Sequence, residues 1–357
     1  MRVIAYAKYG ALAASTRHRI LGYRDALKDA GIDLVCRSLL PDAYVASLVT
    51  GERYSRAAIA HRYLDRLLEL AKGSGGADAI WVYAELFPYL PMSFERLVFR
   101  HAIPVIYDWD DAFYVPYDEH PSTLVRKKIA TKFPQMLARA SAVTCGNAML
   151  ADYCSRYCDN TVVVPTVVDT SVIRPSDDAR EVNRKLTLGW IGSPSTWANV
   201  RPVLPLIVDF CRTRDARFRV VGAGTAAAAD RDERMDFVDW SEAGEVKELQ
   251  GMDIGLMPLI DGPFERGKSG FKLIQYMACG LPVIASPVGA NVDIVGNGDS
   301  GLLASSAGEW RAALERLARD DQLRRRMGEH GRRRVEQHYS VAAQAPRLIE
   351  LFRQVAR

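Results

Sequence analysis

The chain contains 357 residues, of which 48% are apolar and 25% are charged, and its formal net charge is +4. This length predicts two domains rather than a single core, and the composition is that of a soluble globular protein. No run of apolar residues is long enough for a transmembrane helix, which argues against a membrane span. The small positive charge suits an anionic ligand but does not predict nucleic acid as a partner.

Two features of the sequence favour a cytoplasmic location. The N-terminal segment MRVIAYAKYG has one charge and then only a short apolar stretch, which is too little for a signal peptide and predicts a first strand. The six cysteines lie scattered in apolar surroundings, and no second pair or nearby histidine completes a set of metal ligands. We therefore expect buried thiols in a reducing compartment.

Short apolar, β-rich runs alternate with helical patterns along the first half of the chain, which is typical of a parallel α/β sheet. Strands are predicted at 2–7, 32–36, 79–85, 104–109, 141–147 and 161–169, and helices at about 15–30, 55–72 and 122–140. A polar stretch at 174–185 then interrupts the alternation and predicts a linker between domains.

The same alternation restarts at 186–192 and continues to the end of the chain. Further strands are predicted at 218–224, 237–240, 253–259 and 282–289, and helices at about 196–213, 271–279, 308–336 and 340–356. Ligands of such sheets bind beyond the carboxyl ends of the strands. Two α/β halves that face each other would therefore hold a ligand between them.

The first candidate site is the segment GWIGSPST at 189–196, in which a strand ends at Gly192. Ser193, Ser195 and Thr196 precede a predicted helix, so hydroxyl groups, backbone N–H groups and the positive helix end would all suit a phosphate. A simple helix cap on the loop between strand and helix is the alternative.

The second candidate site lies in the segment 264–290, where Gly267 and Gly270 permit close approach of the backbone to a ligand. Lys268 and Lys272 place two cations beside a helix start near Gly270, which suits a diphosphate leaving group. Gln275 lies one turn into that helix and is a candidate to hydrogen-bond a ribose hydroxyl. The binding loop is predicted to include Lys268, Ser269, Gly270, Phe271 and Lys272.

The third candidate site is the acidic run of Asp108, Asp110 and Asp111 at the end of a predicted strand. Carboxylates so close together repel one another, so packing alone does not explain them. They could act on a hydroxyl or bind a divalent metal. A structural alternative is that Asp110 or Asp111 caps the loop or pairs with Arg17 or Arg19.

Cations near the N-terminus and in the middle of the first half are further candidates. Arg17 to Arg19 are predicted to begin the first helix, where the helix dipole disfavours cations, so an anionic ligand or a solvent-facing helix end is expected. Gly10, in the loop after the first strand, could approach donor phosphates. The basic helix at 126–133, with cations from Arg126 to Lys132, could contact anionic lipid or could be a solvated face.

The segment 264–290 resembles the donor-binding block of family 4 glycosyltransferases of the GT-B fold. In that block a glutamate, seven residues and a second glutamate are followed by a helix similar to MACGLPVIAS. The blocks STRHRI, YDWDDAFY at 107–114, VVPTVVD at 163–169, GWIGSPST and SGLLA at 300–304 also resemble family blocks, in the expected order. The resemblance therefore covers nearly the whole chain.

The sequence departs from the family pattern at both glutamates, because Gly267 aligns with the first and Gln275 with the second. An amide can share the ribose contact of the second, and Glu265 is a candidate to replace the first, which contacts the transferred sugar. Family members also commonly carry an arginine and a lysine where Ser193 to Thr196 stand here. Lys268 and Lys272 would then supply the cations, and altered donor preference or lost activity follows as an expectation.

The resemblance implies two Rossmann-like domains that face each other across a cleft. The expected acceptor domain covers 1–170, a linker covers 171–185, the donor domain covers 186–339, and a last helix at 340–357 packs back on the acceptor domain. The expected catalytic residues are Asp110, which aligns with a family histidine, Glu265 and Lys268. The nucleotide base is expected near Gly222 and Trp240.

The activity implied by the resemblance is transfer of a sugar, hexosyltransferase-like and with retention, from a UDP-, GDP- or dTDP-linked donor to a carbohydrate, lipid-linked or small-molecule acceptor hydroxyl. Such enzymes generally need no metal cofactor and often serve polysaccharide or glycolipid biosynthesis. The missing glutamates leave a non-catalytic sugar-nucleotide-binding protein as an alternative, and a sugar-nucleotide epimerase shares the architecture. A dinucleotide oxidoreductase is disfavoured because neither half has a clean G-x-G-x-x-G after its first strand.

Overall fold

The protein is built on two parallel sheets, each with six strands, in a computed structural model that describes residues 1–73, 75–177 and 185–356. The α/β prediction is therefore confirmed. The central part of the predicted linker, 178–184, and one residue of the glycine-rich segment 73–76 lie outside the described residues.

The N-terminal sheet has the strand order β2-β1-β3-β4-β5-β6. Its strands are β1 (Arg2–Tyr9), β2 (Asp33–Leu40), β3 (Ala79–Tyr83), β4 (Val105–Trp109), β5 (Ala142–Cys145) and β6 (Thr161–Val163). Every residue of β3, β4 and β5 is buried, as expected when helices cover both faces of a parallel sheet. At one edge of the sheet, Tyr83 ends β3, and Asp110 and Asp111 directly follow β4.

In the N-terminal half the helix predicted at 55–72 is confirmed as α4 (Arg56–Lys72), whereas the other two predicted helices are divided into shorter ones. The helices of this half are α1 (Ala14–Arg19), α2 (Arg24–Asp29), α3 (Asp42–Thr50), α4 (Arg56–Lys72), α5 (Met92–Glu95), α6 (Val115–Asp118), α7 (Lys132–Leu137) and α8 (Ala148–Cys154). The helix predicted at 15–30 is divided by a 3-10 turn at Leu21–Tyr23, where Gly22 lowers helix propensity. The helix predicted at 122–140 is likewise divided into a π-helical turn at Val125–Ile129 and α7.

Arg17, His18 and Arg19 form the last turn of α1, not its first turn. Cations are favourable at that end of a helix because its dipole is negative there. The argument that their placement requires a ligand is therefore wrong. Packing explains Arg19, which is 1% exposed and turns into the N-terminal core.

The C-terminal sheet has the order β12-β11-β10-β7-β8-β9, and its direction of winding reverses between β10 and β7. Its strands are β7 (Thr187–Ile191), β8 (Arg217–Val221), β9 (Met235–Val238), β10 (Ile254–Met257), β11 (Val283–Ala285) and β12 (Gly301–Leu303). Its helices are α9 (Leu204–Thr213), α10 (Glu245–Gln250), α11 (Pro263–Arg266), α12 (Phe271–Ala278), α13 (Ala290–Val295), α14 (Ala307–Arg319) and α15 (Asp321–His338). The reversal marks where doubly wound sheets bind ligands.

The last helix, α16 (Val341–Val355), packs on the N-terminal half, where the ring of Phe352 meets that of Trp81 at 5.3 Å between centroids. Val167 is buried in the N-terminal core, whereas Val168 is buried in a core of the C-terminal half. Val168 also forms a parallel bridge with Ser340. The chain thus crosses between the halves twice at adjacent places, first at Val167–Val168, which is upstream of the linker predicted at 171–185, and again near Ser340.

The basic segment that was expected to contact lipid is only partly exposed. Lys132 is fully buried; it forms an ion pair with Glu85, lies 3.8 Å from Glu95 and donates a hydrogen bond of 2.9 Å to the carbonyl of Phe87. The prediction of membrane contact is therefore wrong for Lys132, whose charge neutralises buried carboxylates. The cations at 126–128 are exposed. No helix in the described ranges is long and apolar enough to cross a membrane.

Candidate active site

Two glycines shape the surface at the carboxyl ends of β7 and β8. A Cβ on Gly222 would lie 2.5 Å from the carbonyl oxygen of Gly192 and 3.1 Å from the Trp240 side chain, and Gly222 has a φ of +80°. A Cβ on Gly192 would lie 2.7 Å from Lys272 and 2.8 Å from the Thr196 hydroxyl. Glycine is thus required at both positions, and the structure brings these five predicted residues together.

The hydroxyl residues after β7 do not stand at the start of a long helix. A 3-10 segment covers Pro194–Asn199, and α9 begins only at Leu204. The Ser193 side chain makes no cap hydrogen bond, although its hydroxyl lies 3.0 Å from that of Ser195. The Thr196 hydroxyl donates to the carbonyl of Ser193 at 2.9 Å. The predicted contribution of a positive helix end is therefore wrong here, while the hydroxyl groups remain beside Gly192.

The lysine loop, residues 267–272, consists of the connection between α11 and α12 and the first two residues of α12, and it carries both predicted cations. Gly270 has a φ of +68° and precedes α12, and a Cβ there would lie 2.2 Å from Ile294. The Lys268 ammonium lies 4.4 Å from the centroid of the Phe264 ring. The Lys272 ammonium lies 5.8 Å from that of Trp190, on β7. The Lys272 ammonium therefore points toward β7, whereas Lys268 packs over Phe264 and its charge acts on Lys272.

The remaining residues of the lysine loop contact their surroundings differently. Ser269 is buried, at 8% exposure. Phe271 packs against the imidazole of His18, with the ring centroids 4.3 Å apart. Burial and the neighbouring charge of Arg17 lower the pKa of His18 to about 3, so this ring is neutral at physiological pH. Phe271 is thus an interdomain contact.

The charges around the lysine loop alter one another's protonation. Burial, together with the charge of Lys268, lowers the pKa of Lys272 to about 8, although Asp111 acts in the opposite direction. Burial and the neighbouring charge of Asp110 raise the pKa of Asp111 to about 7 against the pull of both lysines. Asp111 belongs to the N-terminal half, so acidic and basic groups face each other across the cleft.

Asp108, near the end of β4, and Asp110, just after it, have separate partners. Asp108 pairs with Arg19, whose Nε donates to the carboxylate at 3.0 Å. Asp110 accepts a hydrogen bond of 2.6 Å from the Tyr83 hydroxyl, and burial raises the pKa of Asp110 above its ordinary value. The pairing predicted for Arg19 is therefore wrong about the partner. Within residues 1–73, 75–177 and 185–356, no group of three or more acidic, histidine or cysteine side chains could hold a metal ion.

The Gln275 amide nitrogen donates one of its two N–H groups to Glu245 at 2.8 Å, and its hydrogen bond to a ribose stays a prediction. Glu245 also accepts a hydrogen bond of 2.6 Å from the Trp240 indole, and its pKa is raised by burial. The Arg17 guanidinium lies 4.8 Å from the Trp240 ring centroid and 3.5 Å from Glu245. The sequence analysis missed Glu245, because nothing distinguishes it from the polar residues around it.

Gly10 and Glu265 have less direct places in the site. A Cβ on Gly10 would lie 2.2 Å from the carboxylate of Asp42, which accepts a hydrogen bond from the Leu12 backbone. Packing of α3 against this loop thus explains the glycine, whereas the predicted approach to phosphates remains a prediction. Glu265 is half-buried on α11, and its carbonyl accepts a hydrogen bond from the Lys268 backbone at 3.1 Å.

Comparison with known sequences finds a family model, described as "Glycosyl transferases group 1", that matches residues 185–320. A D-inositol 3-phosphate glycosyltransferase of Corynebacterium aurimucosum is 28% identical over 221 residues, which cover 54% of this chain and 51% of that protein. An MMP alpha-(1->4)-mannosyltransferase of Mycolicibacterium hassiacum is 27% identical, over 64% of this chain and 56% of that protein. The matched region thus spans about half the length of these curated relatives.

Solved structures share the fold over the whole chain. A sucrose-phosphate synthase from Thermosynechococcus elongatus superposes with a TM-score of 0.73 at 17% identity, covering 99% of both chains. Anabaena HepE in complex with UDP superposes with a TM-score of 0.67 at 14% identity, covering 99% of this chain and all of that one. At such identities the likeness establishes the architecture, which is GT-B.

Proposed function

We propose that this chain, which has the GT-B architecture and matches the "Glycosyl transferases group 1" model over residues 185–320, transfers a sugar with retention from a nucleotide-diphosphate sugar to an acceptor hydroxyl. The observation that carries the proposal is that the Lys272 side chain lies beside Gly192, next to Gly222, at the carboxyl ends of β7 and β8, while the charge of Lys268 acts on Lys272. Two ammonium groups beside bare backbone suit the charge that develops on a departing diphosphate.

The proposed division of labour follows the two sheets. The C-terminal half holds the nucleotide, with the base near Gly222 and Trp240 and the diphosphate between Thr196 and the lysine loop. The N-terminal half supplies the acceptor site and Asp110. Closure of the cleft excludes water and so limits hydrolysis of the donor. The exposed cations at 126–128 remain available to an anionic or lipid-linked acceptor.

The test is incubation of the protein with a panel of UDP-, GDP- and dTDP-sugars and candidate acceptors. Release of nucleoside diphosphate and the anomeric configuration of the product by NMR are the readouts. We propose that the two lysines take the role that a metal has in other transferases, so EDTA should leave the rate unchanged. Binding of none of these donors would refute the proposal. Binding without transfer or hydrolysis would support a non-catalytic binding protein, which the missing motif glutamates favour.

Replacement of Asp110 by asparagine is expected to leave donor affinity intact and to lower kcat by about 10²-fold or more. An asparagine keeps an oxygen that can accept the hydrogen bond from Tyr83, but it cannot take a proton from an acceptor hydroxyl. Steady-state kinetics and calorimetric donor binding measure the two effects separately. An unchanged kcat in Asp110→Asn would show that Asp110 has no catalytic role.

Raising the pH through about 8 is expected to lower kcat/KM for the donor, because the Lys272 ammonium loses its proton there. This parameter reports pKa values of the free enzyme. On the acid side, protonation of Asp111 below about 7 removes a negative charge beside the lysines, so donor affinity should not fall there. Lys272→Arg keeps its charge at high pH and should shift the decline upward. If kcat/KM in Lys272→Arg declines at the same pH as in the wild type, the decline is due to the titration of another group.

A further inference from the structure

Asn147 connects the two halves of the protein through its side-chain amide. It follows β5 in the N-terminal half and is only 7% exposed. Its amide nitrogen donates to the carbonyl of Gly267 at 2.9 Å and to that of Lys268 at 3.2 Å, both in the C-terminal half. The same side chain therefore reaches across the cleft to the backbone that carries a predicted catalytic lysine.

The other end of the amide is also occupied, which fixes its orientation. The Asn147 side-chain oxygen accepts a hydrogen bond of 2.9 Å from the backbone N–H of Leu150 and so caps α8. Because this oxygen must face an N–H donor, the nitrogen must face the two carbonyls. Asparagine thus satisfies both the N–H of Leu150 and the two loop carbonyls. Aspartate has no N–H to donate to the carbonyls, and serine caps a helix well but is too short to reach them.

The lysine loop is held between the two halves at neighbouring points. A Cβ on Gly267 would lie 2.5 Å from the Cβ of Ala112 and 2.9 Å from its backbone nitrogen, so these two backbones touch. On the opposite side, a Cβ on Gly289 would lie 2.2 Å from the carbonyl oxygen of Arg266. The Asn147 hydrogen bonds lie on the first of these sides, where the N-terminal half meets the loop.

We propose that Asn147 is a positioning residue that fixes the lysine loop when the cleft is closed. The inference rests on the proposed function, because it gives Lys268 its place at the donor diphosphate. Without these hydrogen bonds the loop keeps only its packing contacts with Ala112 and His18 in the N-terminal half, and the Lys268 ammonium projects from a less firmly held backbone. The N-terminal half thereby contributes to the donor site indirectly, because Asn147 holds the backbone of the lysine loop and does not itself contact the donor.

The test compares Asn147→Ser with Asn147→Ala. Serine is a good N-cap residue and keeps α8 stable, but it removes both hydrogen bonds to the loop. We expect kcat/KM for the donor to fall about tenfold in both variants, with the melting temperature lowered more in the alanine variant. Ser306→Ala, which removes the cap of α14 on another part of the C-terminal half, should lower the melting temperature and leave the kinetics unchanged. If Asn147→Ser has the same kinetics as the wild type, Asn147 is only a helix cap and the inference is wrong.

A second readout does not depend on transfer activity. Hydrogen exchange of the backbone amides at 267–272 in the free protein should be faster in Asn147→Ser than in the wild type, and unchanged in Ser306→Ala. Unchanged exchange in Asn147→Ser would overturn the inference even if the kinetics differed. Should the wild-type protein transfer no sugar from any donor, the proposed function fails, while exchange in this loop still decides whether Asn147 holds it.

Discussion

Replacement of Lys268 by alanine is expected to lower kcat/KM for the sugar nucleotide by about 10²- to 10³-fold, the usual effect of removing one group that stabilises transition-state charge. Lys268 lies on the lysine loop, where its charge acts on the neighbouring Lys272 and, across the cleft, on Asp111. Its removal leaves one ammonium group for the diphosphate that departs as the glycosidic bond breaks.

The same variant should separate the diphosphate from the rest of the nucleotide. Affinity for the nucleoside diphosphate is expected to fall strongly in Lys268→Ala, whereas affinity for the nucleoside alone should be nearly unchanged, as measured by calorimetry. Lys28→Ala removes the same charge from an exposed site on α2 and serves as the control, with binding and turnover as in the wild type. Equal losses for nucleoside and nucleoside diphosphate would contradict a diphosphate contact.

Replacement of Asp108 by alanine is expected to destabilise the N-terminal half by about 3–5 kcal/mol, because it leaves the charge of Arg19 buried without its partner. Asp108 is 0% exposed and Arg19 is 1% exposed. Burial alone would lower the pKa of Arg19, but Asp108 outweighs that effect and holds the pKa above its ordinary value. Asp108 also accepts a hydrogen bond from the Thr144 hydroxyl on β5.

Calorimetric unfolding, with the transition of the N-terminal half followed separately, measures this effect. The double variant Asp108→Leu with Arg19→Met removes both charges and should recover most of the loss, since paired apolar replacement of a buried ion pair is often neutral. The exposed pair of Arg2 and Asp33, 3.8 Å apart, is the comparison, and Asp33→Ala should change stability by less than about 1 kcal/mol. A comparably small effect of Asp108→Ala would show that Arg19 does not depend on this partner.

The sequence was sufficient to predict the strands that build each sheet, because buried parallel strands are continuous apolar runs. The run at 79–85 corresponds to β3 and that at 104–109 corresponds to β4. The helix predicted at about 196–213 begins later, at Leu204, and the sequence contains the reason: Pro202 lacks an N–H and disfavours a continuous helix through this segment. Pro205 instead occupies the first turn of α9, where proline is favourable.

The candidate site could be predicted only where its residues are neighbours in the chain. Lys268 and Lys272 lie on one loop, so their spacing alone indicates two cations at one place. Asn147 and Gly267 are 120 residues apart, and no periodicity within a single sequence specifies how one sheet faces another. For the same reason the cluster of Arg17, Trp240 and Glu245, drawn from both halves, had no sequence signal.

The border between the two cores at Val167 and Val168 has a mechanical consequence. The Arg19 guanidinium holds the carbonyl of Val164 on one side at 2.7 Å, and Arg332 holds that of Thr170 on the other at 2.7 Å. The short segment between these anchors also bonds to the returning chain at Ser340. The connection between the halves is therefore short and hydrogen-bonded on both sides, which opposes a sliding of one half past the other. A rotation of one half about this doubled crossing would therefore move the cleft residues that lie farthest from it the most.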